Sequence, residues 1–224
     1  MHKRVMAVSD QVGFGKVALS AQVPILTAMG FEVFSLPTCY VSNTFDYGKV
    51  SILDTTEVME PTLKTWSELD FEFDAISLGY LLNKAQLELM GTFIEAYRME
   101  RLSEAKPFIC LMDPIMGDNG ELYKGNTIER VDIVRDMASK VDILTPNVTE
   151  ASFLAKRYEG RQQVSFAEAE DLAHRLYDLT GATCVITSAV IEERGYIIIY
   201  DGAQYHLHPY EHVPANKIAG TGDV

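Results

Sequence analysis

The chain has 224 residues, 47% of them hydrophobic, and a formal net charge of −13. That length can bury a sizeable core as one α/β domain or two small ones, and the acidic balance argues against broad nucleic-acid binding. No stretch is long and apolar enough to span a bilayer, and no basic leader precedes an apolar signal-like run. Three scattered cysteines, Cys39, Cys110 and Cys184, fit neither a disulfide framework nor a zinc spacing, and point to buried thiols in a cytoplasmic protein.

In chain order, Lys3–Ser9 reads as a first buried strand, Asp10–Gly15 as a turn, and Lys16–Met29 as a helix stopped by Gly30. Phe31–Leu36 is a second strand, so the chain opens with the β-turn-α-β unit of a parallel sheet. The turn GFGKVA resembles a dinucleotide fingerprint. The second strand ends in Leu36-Pro37-Thr38 with no acidic residue for a ribose, and Val17 follows Gly15-Lys16 where a Walker loop needs Ser or Thr. Both nucleotide motifs are set aside on those grounds.

Residues 38–53 interrupt the α/β rhythm with β-branched and aromatic residues around a polar turn at Ser42–Gly48. They read as a small hairpin or flap, about 38–54, that either edges the sheet or covers a substrate. Thr55–Leu69 is an amphipathic helix. Asp74–Tyr80 is a third strand, and it leaves Tyr80 at the carboxyl edge where ligands sit in parallel sheets. Lys84–Ser103 is a long helix and Lys106–Met112 a fourth, doubly buried strand. The loop Asp113-Pro114-Ile115-Met116-Gly117-Asp118-Asn119-Gly120 follows directly. It is either a solvated turn or a place for a cation between two aspartates.

Ile128–Ser139 is the next helix, and Val141–Leu144 a fifth strand running into Thr145-Pro146-Asn147-Val148-Thr149-Glu150. Capping alone explains NVTE, with Asn147 or Thr149 as N-cap; the other reading has Asn147 and Glu150 holding Mg²⁺ through water. Phe166–Leu179 is a helix closed by Gly181. Ala182–Ser188 is a sixth strand ending in hydroxyls, and Gly195–Tyr200 and Gln204–His208 pair antiparallel about Asp201-Gly202. The chain ends in Gly220-Thr221-Gly222-Asp223-Val224. Glycines around a threonine can turn successive N–H groups toward an anion, and an adjacent carboxylate can take a hydroxyl proton, the minimum for moving phosphate onto an alcohol. With no repeat or linker, the whole of 1–224 reads as one domain with a flap.

DPIMGDNG, TPNVTEA, a strand ending in TS, and GTGD, in that order, resemble the ribokinase-like superfamily. With SDQVGFGKVAL, the PT and SN pairs of the flap, and GYL after the third strand, the chain is similar to the pyridoxal/pyridoxamine kinases of vitamin B6 salvage. The resemblance implies a three-layer α/β fold: a mostly parallel central sheet flanked by helices, a small β flap and an antiparallel edge. It implies transfer of the ATP γ-phosphoryl to the 5′-hydroxymethyl of pyridoxal, pyridoxine or pyridoxamine. Asp223 matches the catalytic base and Gly220, Thr221 and Gly222 its anion hole. Asn147 and Glu150 match the motif that positions Mg²⁺-ATP, Asp113 and Asp118 match acidic positions near phosphates and cations, and Thr187 and Ser188 lie near the nucleotide. Asp113 and Glu150 are thereby the implied metal residues. Ser9, Ser42, Thr44, Phe45 and Tyr80 match surroundings of the pyridine ring. K⁺ and a homodimer are also implied.

The flap departs from its relatives: where they carry His and Thr, this sequence has Thr44 and Phe45, so contacts to ring substituents differ. Relatives also continue past GTGD, so the chain is expected to be C-terminally incomplete and to bind ATP poorly as it stands. Two other readings compete, hydroxymethylpyrimidine (phosphate) kinase of the same fold and a non-catalytic vitamin-binding protein; the Asp223 and NVTE residues argue against the latter.

Overall fold

The computed structural model describes residues 3–44 and 47–211. They form a mixed α/β fold, a large, mostly parallel sheet flanked by helices, and group into two compact units divided between Cys110 and Leu111.

The first unit runs β1 (Arg4–Val12), α1 (Leu19–Ala28), β2 (Glu32–Val41), β3 (Ile52–Asp54), α2 (Thr56–Glu68), β4 (Ala75–Leu78) and α3 (Lys84–Ser103). β1 is central. It pairs in parallel with β2 on one side and β4 on the other, and β3 returns antiparallel to β2. Met6, Ala7 and Val8 are fully buried, as an apolar run covered on both faces must be. The first two strands outrun their sequence-based ends at Ser9 and Leu36. Ser9 faces Pro37, and the next matched pair is Gln11 with Tyr40, so β2 carries an extra residue there. That irregularity accommodates Pro37, which has no N–H to give a ladder. The flap is therefore the outer end of β2 turned back on β3, with Cys39, Tyr40 and Val41 opposite Asp54, Leu53 and Ile52. The helix expected from Lys16 starts only at Leu19.

An aromatic cluster fills one side of this unit. Phe34 packs against Trp66, Phe71 and Phe73 at centroid distances of 5.6, 5.2 and 5.2 Å, and Tyr97 lies between Phe73 and Phe108. The Tyr97 hydroxyl accepts from Phe73 N–H (2.6 Å) and donates to Phe73 O (3.1 Å), so its polar atom is satisfied inside the core.

The division falls within β5 (Ile109–Met112), and the second unit continues with β6 (Gly117–Asp118), β7 (Glu121–Leu122), α4 (Ile128–Ala138), β8 (Ile143–Leu144), α5 (Val148–Ala155), α6 (Phe166–Thr180), β9 (Thr183–Ile191), β10 (Arg194–Tyr200) and β11 (Tyr205–Tyr210). β8 lies parallel between the end of β5 and β9, while β10 and β11 add the expected antiparallel edge. Leu172, Ala173 and Leu176 of α6 and Cys184, Ile186 and Ile198 of the strands are fully buried. α6 opens with a Ser165–Glu168 capping box and closes at Gly181. All three cysteines are buried and outside any disulfide. Among the described residues no helix is long and apolar enough to cross a membrane.

Ile76 is wholly buried on β4. Ile76→Ala is expected to cost about 2–5 kcal/mol of stability. Urea unfolding followed by the fluorescence of Trp66, the one tryptophan, checks this; a loss under about 1 kcal/mol would mean that the site collapses around the cavity or is not packed as described.

Candidate active site

The start of α5 and the loop after β5 form one polar corner. Asn147 is the N-cap, and its Oδ1 accepts from Glu150 N–H at 3.0 Å. Glu150 returns the contact, Oε2 accepting from Asn147 N–H at 2.9 Å, which completes the capping box that the NVTE pattern predicts. The other oxygen does more than cap. Oε1 accepts from Met116 N–H (2.9 Å) and, at the edge of range, from Gly117 N–H (3.5 Å). Asn147 Nδ2 donates to Gly117 O (2.8 Å), and Thr149 Oγ1 accepts from Gly120 N–H (2.8 Å). Three side chains in the first turn of one helix thus fix the backbone of residues 116–120.

Glu150 is 3% exposed. Burial pushes its carboxyl up from 4.5 to about 7; the three N–H donors pull the other way, and the negative charge of Asp118 adds to the rise. The loop it holds is strained. Ile115 has φ 21°, a conformation that β-branched residues avoid, immediately before the two N–H groups that Glu150 gathers. Beyond it lies a hairpin not foreseen from the sequence: β6 and β7 pair about Asn119 (φ 54°) and Gly120 (φ 84°), the two-residue Asn-Gly turn whose positive φ angles match strand twist. A Cβ on Gly120 would also lie 2.7 Å from Gly160 O.

The sequence-predicted residues of this side divide in two. Asn147, Glu150 and Thr187 come together: Thr187 N–H donates to Pro146 O (2.8 Å) and forms an isolated parallel bridge with Asn147. Ser188 follows at φ 57°, and the β9–β10 register slips by one residue here, so Thr187-Ser188 is a bulge. Bulges free backbone groups from the ladder beside a site. Asp113 is half-buried, its Oδ1 3.4 Å from Ile115 N–H. Asp118 is exposed and accepts from Asn119 N–H and Nδ2 (2.8 and 3.0 Å).

In the first unit, Ser9 is fully buried. Its Oγ donates to Asp10 Oδ1 (3.2 Å) and accepts from Tyr80 N–H (3.1 Å), while Thr38 Oγ1 donates to Tyr80 O (2.7 Å). Tyr80 is pinned through its backbone, and its side chain packs on Val12, Cys39 and Val41. Ser42 and Asn43 brace the flap: Ser42 Oγ accepts from Ser51 N–H (3.0 Å) and Asn43 Nδ2 donates to Lys49 O (2.9 Å). The GFGK turn closes onto that flap, Gly13 N–H donating to Val41 O (2.8 Å) and Thr44 N–H to Phe14 O (3.3 Å). A side chain at Gly13 would collide with the Tyr40 hydroxyl and Ser42 O. Phe14, Asn43, Tyr47 and Lys49 line a cavity of about 270 Å³, with the Phe14 and Tyr47 rings edge to face at 5.9 Å. Of these, Asn43 belongs to the SN pair noted in the sequence, while Phe14, Tyr47 and Lys49 were not named as site residues; the aromatic content of the flap and the paired glycines of the turn were the available signals. Phe45, Gly220, Thr221, Gly222 and Asp223 lie outside the described residues.

A large, mostly parallel sheet flanked by helices is the fold shared with pyridoxal kinases of the ribokinase-like type. Residues 19–224 match the phosphomethylpyrimidine kinase family, and the chain belongs to that family, with pyridoxal kinases among its relatives. It is similar to a candidate phosphomethylpyrimidine kinase of Bacteroides thetaiotaomicron (32% identity, TM-score 0.89, 99% of this chain and 75% of that one), which also crystallised in a form with pyridoxal. The pyridoxal kinase of Lactobacillus plantarum gives a TM-score of 0.84 at 26% identity, over 99% of this chain and 76% of that one. A candidate pyridoxal kinase of Saccharomyces cerevisiae is 30% identical over 158 residues, 67% of this chain and 49% of the yeast protein. The chain thus spans about half the length of that curated relative.

Because the Glu150 carboxyl is raised in the folded state, the native protein binds the extra proton between 4.5 and about 7, and stability falls as pH rises through that window. Glu150→Gln removes this slope and leaves an N–H donor facing other donors, which costs about 1–3 kcal/mol. Urea midpoints across the window are expected to show the gap between wild type and variant narrowing with pH; a gap that widens would overturn the assignment.

Proposed function

We propose that this protein transfers the γ-phosphoryl group of ATP to the 5′-hydroxymethyl of a B6 vitamer. The observation that carries the reading is the likeness to the Bacteroides structure with pyridoxal, 32% identical over 92% of this chain. Asp223 acts as the base that takes the hydroxyl proton while that oxygen attacks the γ-phosphorus and ADP leaves. The amides of Gly220–Gly222 stabilise the charge on the transferred group. Asn147, Glu150 and Thr187 serve the nucleotide, Ser188 and Asp118 with them. Ser9, Ser42, Thr44, Phe45 and Tyr80 serve the vitamer, and the flap excludes water.

The donor set suits a hydrated Mg²⁺. Asp113 and Glu150 are hard oxygen donors, and three N–H groups occupy all but one of the roughly four acceptor positions of the Glu150 carboxylate, leaving room for a bridging water. A bound Mg²⁺ would neutralise phosphate charge. K⁺, a homodimer and a cytoplasmic setting belong to the same reading. A second reading, phosphorylation of a hydroxymethylpyrimidine, is favoured by the description of the matching family.

The test is ATP-dependent phosphorylation of pyridoxal, pyridoxine, pyridoxamine and hydroxymethylpyrimidine, side by side, by the full-length protein. A B6 vitamer is expected to have the highest kcat/KM; preference for the pyrimidine would select the second reading. Asp223→Asn is expected to lower kcat by about 10²–10⁴ with vitamer affinity nearly unchanged. Retained turnover would remove Asp223 as the base.

A further inference from the structure

We infer that Gln86 is a positioning residue for the acceptor side of the site, locking the base of the flap to the loop that carries Tyr80. Gln86 is the third residue of α3 and is fully buried, although Lys84 and Glu88 beside it are exposed. A carboxamide in that setting must find partners, and its four partners lie in three different segments. Oε1 accepts from Leu82 N–H (2.7 Å), two residues past Tyr80. Nε2 donates to Thr38 O (2.7 Å), where β2 leaves for the flap. It also reaches Thr56 Oγ1 (2.9 Å) and Asp54 Oδ1 (3.4 Å), where the chain comes back from the flap into α2.

Neighbours reinforce the same three-way tie. Asn83 Nδ2 donates to Asp54 Oδ2 (3.0 Å) and Thr56 Oγ1 (2.9 Å), and Thr38 Oγ1 donates to Tyr80 O. Hydrogen bonds from Thr56, and then from Asn83 and Gln86, hold the Asp54 carboxyl below the usual carboxylate range. Leucine or methionine would fill the volume of Gln86. Only a side chain with one acceptor and two donors can join the departing strand, the returning strand and the Tyr80 loop at once. Gln86 lines no part of the flap cavity, so it acts through these segments.

Gln86→Glu keeps the shape and the bond from Leu82 N–H, loses the donors to Thr38 O, and brings a second negative charge to Asp54. Hydrogen–deuterium exchange of the full-length variant above neutral pH is expected to accelerate by about tenfold or more in residues 42–44 and 47–53, with β9, β10 and α6 unchanged. The kinetic arm rests on the proposed kinase function: KM for the vitamer is expected to rise about tenfold, with KM for ATP within about twofold. Gln86→Met, equal in volume and without the bonds, is expected to give the same local loss if the charge prevents folding. Unchanged flap exchange or an equal rise in β9–β10 would overturn the inference. A wild type that phosphorylates no vitamer would count against the proposed function alone, because the exchange arm needs no turnover.

Discussion

The second unit is organised by one buried carboxyl group. Desolvating a carboxylate costs several kcal/mol, and no cation pairs with Glu150 among the described residues; backbone N–H groups of Asn147, Met116 and Gly117 meet it instead. Hydrogen bonds to a charged group contribute about 1.5–3 kcal/mol each, so the three offset part of that penalty, and the remainder raises the carboxyl to about 7. The same bonds hold the loop through the unfavourable φ of Ile115, a strain of order 1–3 kcal/mol. A helix cap, a strained loop and the end of a strand are thereby one object, and Thr187 joins it through Pro146.

Most of the architecture was legible because apolar periodicity dominates its elements. The helix read over Lys84–Ser103 has those same bounds, and the one read over 166–179 gains a single residue. The interruption at 38–53 is the outer end of β2 and the edge strand β3 within the main sheet, not a hairpin standing off it. What escaped reading was set by tertiary context. Pro37 reads as a breaker, yet β2 passes through it because the ladder is already irregular opposite Ser9. Asp10 and Gln11 read as turn, yet β1 continues to Val12 because the flap supplies a further length of partner strand. The Asn119-Gly120 hairpin was legible in principle, but strands of two residues give no periodicity to detect.

The site was read unevenly for the same reason. Asn147 and Glu150 announce themselves by a spacing with a local mechanism, N-cap and third helical residue. Asn83 and Gln86 have that spacing too. There Asn83 Oδ1 accepts from Gln86 N–H, but the glutamine amide reaches past the cap to Leu82 and then to two distant segments. The local pattern is shared by both corners; the long-range partners that make each important are invisible along the chain.

The flap and the GFGK turn are stitched along their facing backbones, by Gly13 to Val41 and Phe14 to Thr44. Neither can shift far without dragging the other, and the absent side chain at Gly13 is what lets them sit so close. Enlarging the cavity for a bulkier guest would then require matched replacements in both segments. Lineages with a reshaped cavity should change the turn and the flap together, and a single widening substitution in either would be held in check by its neighbour.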